Sequence, residues 1–395
     1  FGFKIADNIP PTLSKLKIYA FDTTLINGYR KSKIINIKKT KNKYSIDETP
    51  TINGSFALGI STYDKLNDSY NKNGVYSIKV CVDSSICYKF TVDELDFSTS
   101  RYINAHIDYK EKKESKKKYH RCYKLPHNKL TNYSQIINEG IINIKDTLPH
   151  LISLEVTDIY GNISNLDFNV KSTNNPFLTR CPLPKDTINT AFSLDKVNIF
   201  KKENMELHMQ AFSLYEPLMF HYNTIDSIDG VYGKVHQIHY NNTPVHKKYV
   251  LSLNAEIADS LKARSYIATT DLKGNFWYIG GKWINGSIKT KTREFGNFCI
   301  ITDTIIPEIT GVNIYPGKIF NTQSTIKCTI KDNDSGIKNY RGEIDGKWIL
   351  MDYDYKNNLL RFDIDKNISK GKHTFTLEIE DNVGNKKEYK AAFIY

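Results

Sequence analysis

The chain has 395 residues, 40% hydrophobic and 25% charged, with 55 Lys and Arg against 43 Asp and Glu and a net charge of +12. That length supports two to four domains with separate cores, and no apolar run reaches the roughly 18 residues a membrane helix needs. Tyr is heavily used, with 26 residues, as are Ile, Asn and Lys. β-branched and aromatic residues suit pleated, half-buried surfaces, so an all-β protein is expected.

The chain opens with Phe1-Gly2-Phe3-Lys4-Ile5-Ala6-Asp7, without an initiator Met or a basic-then-apolar leader, and reads as cut from something longer. Asp7-Asn8-Ile9-Pro10-Pro11 then leads into Leu16-Lys17-Ile18-Tyr19. A residue before proline is held extended, which marks the start of a strand domain. Residues 1–172 are expected to form a β-sandwich with long loops around 25–50 and 108–145. Cys81 and Cys87 flank Val82-Asp83-Ser84-Ser85-Ile86, a turn, so a cross-strand disulfide is one reading of the pair. Cys122, Cys181, Cys299 and Cys328 stand singly and resemble small buried hydrophobes. No Cys or His set has zinc spacing.

His106-Ile107-Asp108 would put an imidazole and a carboxylate on one face of a strand. The following run, 110–121, carries seven basic and two acidic residues. Lys112, Lys113, Lys116, Lys117, Lys118 and Arg121 form either a solvated loop or a contact patch for anionic lipid headgroups or an acidic partner. Nucleic acid is not expected, because no helix-turn-helix, zinc-finger or RNA-binding aromatic motif accompanies the run.

Asp158-Ile159-Tyr160-Gly161-Asn162 is the first of three copies of Asp-x-x-Gly-Asn between alternating runs. The others are Asp271-Leu272-Lys273-Gly274-Asn275 and Asp381-Asn382-Val383-Gly384-Asn385. A short Asp side chain accepts from backbone N–H groups just downstream, and Gly supplies the φ > 0 that closes the loop. Asp158, Gly161, Asn162, Asp271, Gly274, Asn275, Asp381, Gly384 and Asn385 are therefore structural turn residues, each trio closing a hairpin.

Residues 173–190, with Pro176, Pro182 and Pro184, read as a linker. Residues 191–302 read as a less regular β-sandwich, in which His236 and His239 would point to opposite faces of a strand. Residues 303–395 open with Asp303-Thr304-Ile305-Ile306-Pro307, an echo of the first domain, and lay down about seven short strands. Ile326, Cys328 and Ile330 alternate with polar neighbours, as do Phe375, Leu377 and Ile379, and Asp345-Gly346 is a two-residue hairpin signal. The fold class is all-β, a tandem of immunoglobulin-like or fibronectin-like sandwiches. Asp332, Asp334 and Asp345 either gather calcium or cap turns. Trp277, Trp283 and Trp348 are sugar platforms or packing. No phosphate loop or nucleophile elbow occurs, so no catalytic residue, metal ligand or cofactor is assigned.

Several phrases together resemble the C-terminal, non-catalytic region of lysostaphin/LytM-like zinc metallopeptidases from the envelope of Bacteroidota. They include Phe1-Gly2-Phe3 with Asp7 and Pro11, Asn73-Gly74-Val75-Tyr76-Ser77, Arg101-Tyr102-Ile103-Asn104-Ala105-His106-Ile107-Asp108-Tyr109 and Thr243-Pro244-Val245-His246. Gly281-Lys282-Trp283, Thr292-Arg293-Glu294-Phe295-Gly296, Asp334-Ser335-Gly336-Ile337 and Gly342-Glu343-Ile344-Asp345-Gly346-Lys347-Trp348-Ile349 complete the set. The family's His-x-x-x-Asp and His-x-His zinc motifs do not occur in the 395 residues. The resemblance implies a scaffold in the periplasm or at the outer membrane, in contact with an envelope or outer-membrane protein complex and with peptidoglycan as a further partner. Zinc would enter only through an upstream peptidase domain. The alternatives are the accessory region of an active zinc endopeptidase, or a glycan-binding module.

Overall fold

The computed structural model describes residues 6–21, 24–29, 31–41, 43–172, 188–226, 228–321, 324–365 and 367–395. The expected linker lies largely outside the described residues, as does Cys181. The chain is all-β, and the described residues form six sheets in three successive sandwiches.

In the first sandwich, strands Thr12–Ala20 and Ser55–Tyr63 pair antiparallel at the centre of a five-stranded sheet. The facing nine-stranded sheet is built on Ser77–Val82, Pro149–Thr157 and Ile163–Ser172. Period-two alternation decides which side chains meet. Along Ile163–Ser172 every second residue is buried, bringing Leu166, Phe168 and Val170 inward against Leu16, Ile18, Phe56 and Ile60. The expected loop at 25–50 is in part sheet, because Lys33–Asn36 pairs with Thr12–Ala20 and Lys43–Ser45 pairs with Ile163–Ser172. The second long loop contains a helix, Tyr109–Ser115.

The second sandwich is more regular than its sequence suggests, with a six-stranded and a five-stranded sheet. Its first strand, Ile188–Phe192, begins inside the segment expected to be linker. Leu207 and Leu251 from one sheet meet Phe220, Ile238 and Phe298 from the other. The third sandwich pairs a four-stranded with a five-stranded sheet, nine strands against the seven expected. The additions are short edge strands such as Lys318–Ile319 and Asp352–Asp354. Asp345 and Gly346 have φ of 50° and 73° and join Ile337–Ile344 to Lys347–Ile349, the positive pair that a primed two-residue turn requires.

Candidate functional site

The three Asp-x-x-Gly-Asn hairpins share one geometry. Asp158 Oδ1 accepts from Tyr160 N at 2.8 Å and Asn162 N at 2.9 Å, and Oδ2 from Asn162 Nδ2 at 2.8 Å. Asp381 Oδ1 accepts from Val383 N at 2.9 Å and Asn385 N at 2.8 Å, and Oδ2 from Asn385 Nδ2 at 2.6 Å. Asp271 repeats the pattern with Lys273 and Asn275. Gly161, Gly274 and Gly384 sit at φ of 88° to 89°. What surrounds the turns differs. Asp158 and Asp381 are 2% and 0% exposed, whereas Asp271 is exposed.

Around Asp158 and Asp381 the fold assembles two equivalent acidic groups, Asp7 with Asp64 and Asp158, and Asp303 with Asp332 and Asp381. In each, the ligand atoms lie within 4.8 Å of one another. The first member opens the module and the second directly follows a core strand, Ser55–Tyr63 or Thr325–Lys331. The third is the turn Asp. The turn Asn ties the group together, Asn162 Nδ2 donating to the Asp7 carbonyl at 3.2 Å and Asn385 Nδ2 to the Asp303 carbonyl at 3.1 Å. Like charges at this separation repel by about 3 kcal/mol per pair at an effective dielectric near 20. Burial and the neighbouring Asp158 and Asp7 push the Asp64 carboxyl up to about 6. Burial raises Asp332 as well, with Asp303 and Asp381 adding to it. By sequence Asp332 stands with Asp334 and Asp345 as a calcium set or as turn caps. Asp345 instead lies at the far hairpin, where its Oδ2 meets His373 Nδ1 at 2.7 Å and its Oδ1 accepts from Thr374 N.

A second concentration of buried polar groups lies where the first two sandwiches meet. Tyr215, from the second, is 2% exposed and belongs to the hydrophobic core of the first. Its hydroxyl donates to the Arg101 carbonyl at 3.0 Å and accepts from His246 Nδ1 at 3.2 Å. His127 Nδ1 donates to the Leu214 carbonyl at 2.7 Å, so its Nε2 accepts from the Tyr102 hydroxyl at 3.2 Å. The Tyr102 and His246 rings stack with centroids 4.3 Å apart. Burial, with His127, Arg101, Lys247 and Arg293 adding to it, pushes His246 down to about 4. Beside the cluster, Phe97, Arg101, His246, Lys247 and Arg293 line an open cleft of about 430 Å³.

His106-Ile107-Asp108 is not a strand. His106 ends a helical turn, and Asp108 caps the helix Tyr109–Ser115 by accepting from Glu111 N at 3.2 Å. The two side chains take separate partners. His106 Nε2 meets His120 Nδ1 at 3.0 Å, and Nδ1 meets the Tyr133 hydroxyl at 3.3 Å. Asp108 binds Lys17 Nζ and the Tyr19 hydroxyl, each at 2.8 Å. Burial works against ionising Asp108, but Arg121 and Lys17 outweigh it and hold the carboxyl below its usual range. Burial pushes His120 down to about 4. Arg121 leaves the expected basic patch. It is 9% exposed, donates to the Ala105 carbonyl at 3.0 Å and faces Asp108, whereas Lys112, Lys113, Lys116, Lys117 and Lys118 are exposed.

Cys81 and Cys87 do not face one another, because a register shift pairs Cys81 with Ile86 and Val80 with Tyr88. Both thiols are free, and Cys87 Sγ lies 3.4 Å from the Val80 carbonyl. Only His236 of its pair lies in the strand Tyr232–Ile238, with Nδ1 2.9 Å from the Tyr222 hydroxyl. His239 follows it at φ 51°, accepts from His221 N and lies 3.0 Å from Thr243 Oγ1. Trp283 is packing, since its Nε1 donates to Ser265 Oγ at 2.6 Å beside the second core. Trp277 and Trp348 are 53% and 57% exposed.

The opening Asp and the turn Asp of each acidic group stood in repeated phrases. Asp64 shares no phrase with Asp332, so the third member carried no sequence signal. The Tyr215 contact had none either, because a Tyr bound for another domain's core looks like any inward residue.

A Zu5-like domain model matches residues 189–303, the second sandwich. No curated protein matches the chain. Among solved structures it is similar to SGBP-B from a mixed-linkage glucan utilization locus of Bacteroides ovatus, solved with a mixed-linkage heptasaccharide, at 10% identity and a TM-score of 0.15, with 87% of this chain and 63% of that one covered. It is also similar to a Ca2+-stabilized, ice-binding adhesin of an Antarctic bacterium, at 10% identity and a TM-score of 0.17, covering 87% and 94%. The first eight Ig domains of Down Syndrome Cell Adhesion Molecule give 10% identity, a TM-score of 0.18 and 98% and 64% coverage. The chain thus spans less than two thirds of the length of SGBP-B. Likeness at these scores carries no weight for function, which rests on the residues themselves.

Proposed function

We propose that this chain is a non-catalytic binding and spacing segment of a cell-envelope protein, which holds its first two sandwiches in fixed relation and presents their outer faces to a protein partner. The insertion of Tyr215 into the neighbouring core carries this reading. A buried aromatic with both hydroxyl interactions satisfied makes a junction that resists hinge motion. The buried histidines support it, since His106, His127, His236 and His239 are each engaged with partners inside the fold. Exposed apolar side chains such as Phe97 at 97%, Leu95 at 73% and Tyr70 at 96% offer the first sandwich contact surface. The LytM-like resemblance favours the periplasm or the outer membrane as the setting and an assembly there as the partner.

Affinity purification of the tagged chain from envelope membranes tests the proposal. A stoichiometric envelope protein should co-purify. Recovery of the chain alone, or cleavage of muropeptides by the purified chain, would count against it. A glycan-binding reading is favoured by one feature, the exposed Trp348 beside Leu350 on a cleft of about 340 Å³. Retention on cell-wall glycan that Trp348→Ala abolishes without unfolding would promote that reading.

A further inference from the structure

We infer that the two acidic groups, Asp7, Asp64 and Asp158 in the first sandwich and Asp303, Asp332 and Asp381 in the third, are calcium sites that fasten the opening segment of each module to its own sandwich. Three carboxylates that merely capped turns would leave none of their oxygens buried and idle. Asp64 contradicts that. It is 3% exposed, yet its Oδ1 has no hydrogen-bond partner, and in the same group the half-buried Asp7 keeps its Oδ2 shielded and unpartnered. A buried acceptor without a donor is costly, and a cation that accepts lone pairs supplies what is missing. The third sandwich repeats the arrangement at equivalent positions, and there the buried Ser335, whose backbone N–H donates to Asp303 Oδ2 at 3.2 Å, leaves its Oγ without a partner.

The donor chemistry selects the ion. All six side chains are carboxylates, which suit hard cations rather than zinc or copper. Calcium takes oxygens at roughly 2.3–2.6 Å, so two ligands on opposite sides stand about 5 Å apart, whereas magnesium at about 2.1 Å would need a tighter set. Ligand atoms that all lie within 4.8 Å of one another can share one ion of that size. The second sandwich shows that the turn alone is not enough. Asp271 makes the same hydrogen bonds but is exposed, and it belongs to neither acidic group.

The test is calorimetric titration of CaCl2 into the chelator-stripped full chain, with thermal unfolding followed in parallel. Two equivalents of calcium should bind and raise the unfolding temperature, with magnesium binding at least tenfold more weakly. Asp64→Asn and Asp332→Asn should each remove one equivalent, the double variant both, and Asp271→Asn neither. Removing one of three crowded charges relieves repulsion, so the single variants should be no less stable than the parent in chelator. Their circular dichroism confirms folding. Absence of binding at millimolar calcium, two equivalents retained in the double variant, or equal affinity for magnesium would each overturn the assignment.

Discussion

Tyr215 belongs by sequence to the second sandwich and by burial to the core of the first. Truncating a buried aromatic typically costs about 3–5 kcal/mol, and Tyr215→Ala would also leave the Arg101 carbonyl and His246 Nδ1 without their partner. Tyr215→Phe should cost less, on the order of 1–2 kcal/mol, because packing is kept and only the hydroxyl is lost. Urea unfolding of the two variants checks the order, and an equal cost would show that the ring contributes nothing. The histidines predict a pH dependence. His120, His236, His239 and His246 are pushed down to about 4, chiefly by burial. In the unfolded chain they titrate near 6.5, so that ensemble binds more protons between about pH 6.5 and 4. Stability therefore falls as the pH drops through that window. Asp108, held low by Arg121 and Lys17, contributes with the same sign as its carboxyl protonates. His150 and His373, raised by their Asp partners, and Asp64 and Asp332, raised by burial, oppose the trend, since each holds its proton more tightly in the folded chain and that stabilisation is lost as pH rises. With His106 and His127 also lowered by burial, the lowered histidines are the larger group, so the urea midpoint should be lower at pH 4.5 than at pH 7. A midpoint equal or higher at pH 4.5 would refute this.

Among the elements, the hairpins were the most legible part of the chain. Asp and Asn compete locally for backbone donors and Gly opens positive φ, so Asp-x-x-Gly-Asn specifies its turn without help from the rest of the fold. Gly161→Ala and Gly384→Ala should each destabilise by about 1–2 kcal/mol, because an L side chain at φ near 88° is strained even where a Cβ has room. Chemical denaturation measures this, and no change in either variant would show that the turns adopt another conformation. The long alternating strands were equally legible, since period two fixes a buried face. The helix Tyr109–Ser115 was not. It has no buried residue, and it is held by the Asp108 cap and by Lys17, whose Nζ reaches both Asp108 and Glu111 at 2.8 Å. Lys17 comes from a strand far away in sequence, and no local pattern foretells that anchor. The short edge strands failed for a related reason, because two or three residues carry no period.

At the scale of the whole molecule, three sandwiches could be counted from repeated openings and repeated turns, while the way they join could not. The first and third modules share an opening Asp, a strand-end Asp and a turn Asp, and among the described residues the second presents its turn without such a group. The contact between the first two depends on which loops meet in space, and residues 101–127 and 211–246 supply it from stretches that read as irregular. Scanning calorimetry of the full chain measures the consequence most directly. If Tyr215 fuses the first two sandwiches, they should melt in one shared endotherm with the third melting separately, and Tyr215→Ala should split the shared transition in two. Three endotherms in the parent chain, unchanged by Tyr215→Ala, would contradict a fused pair.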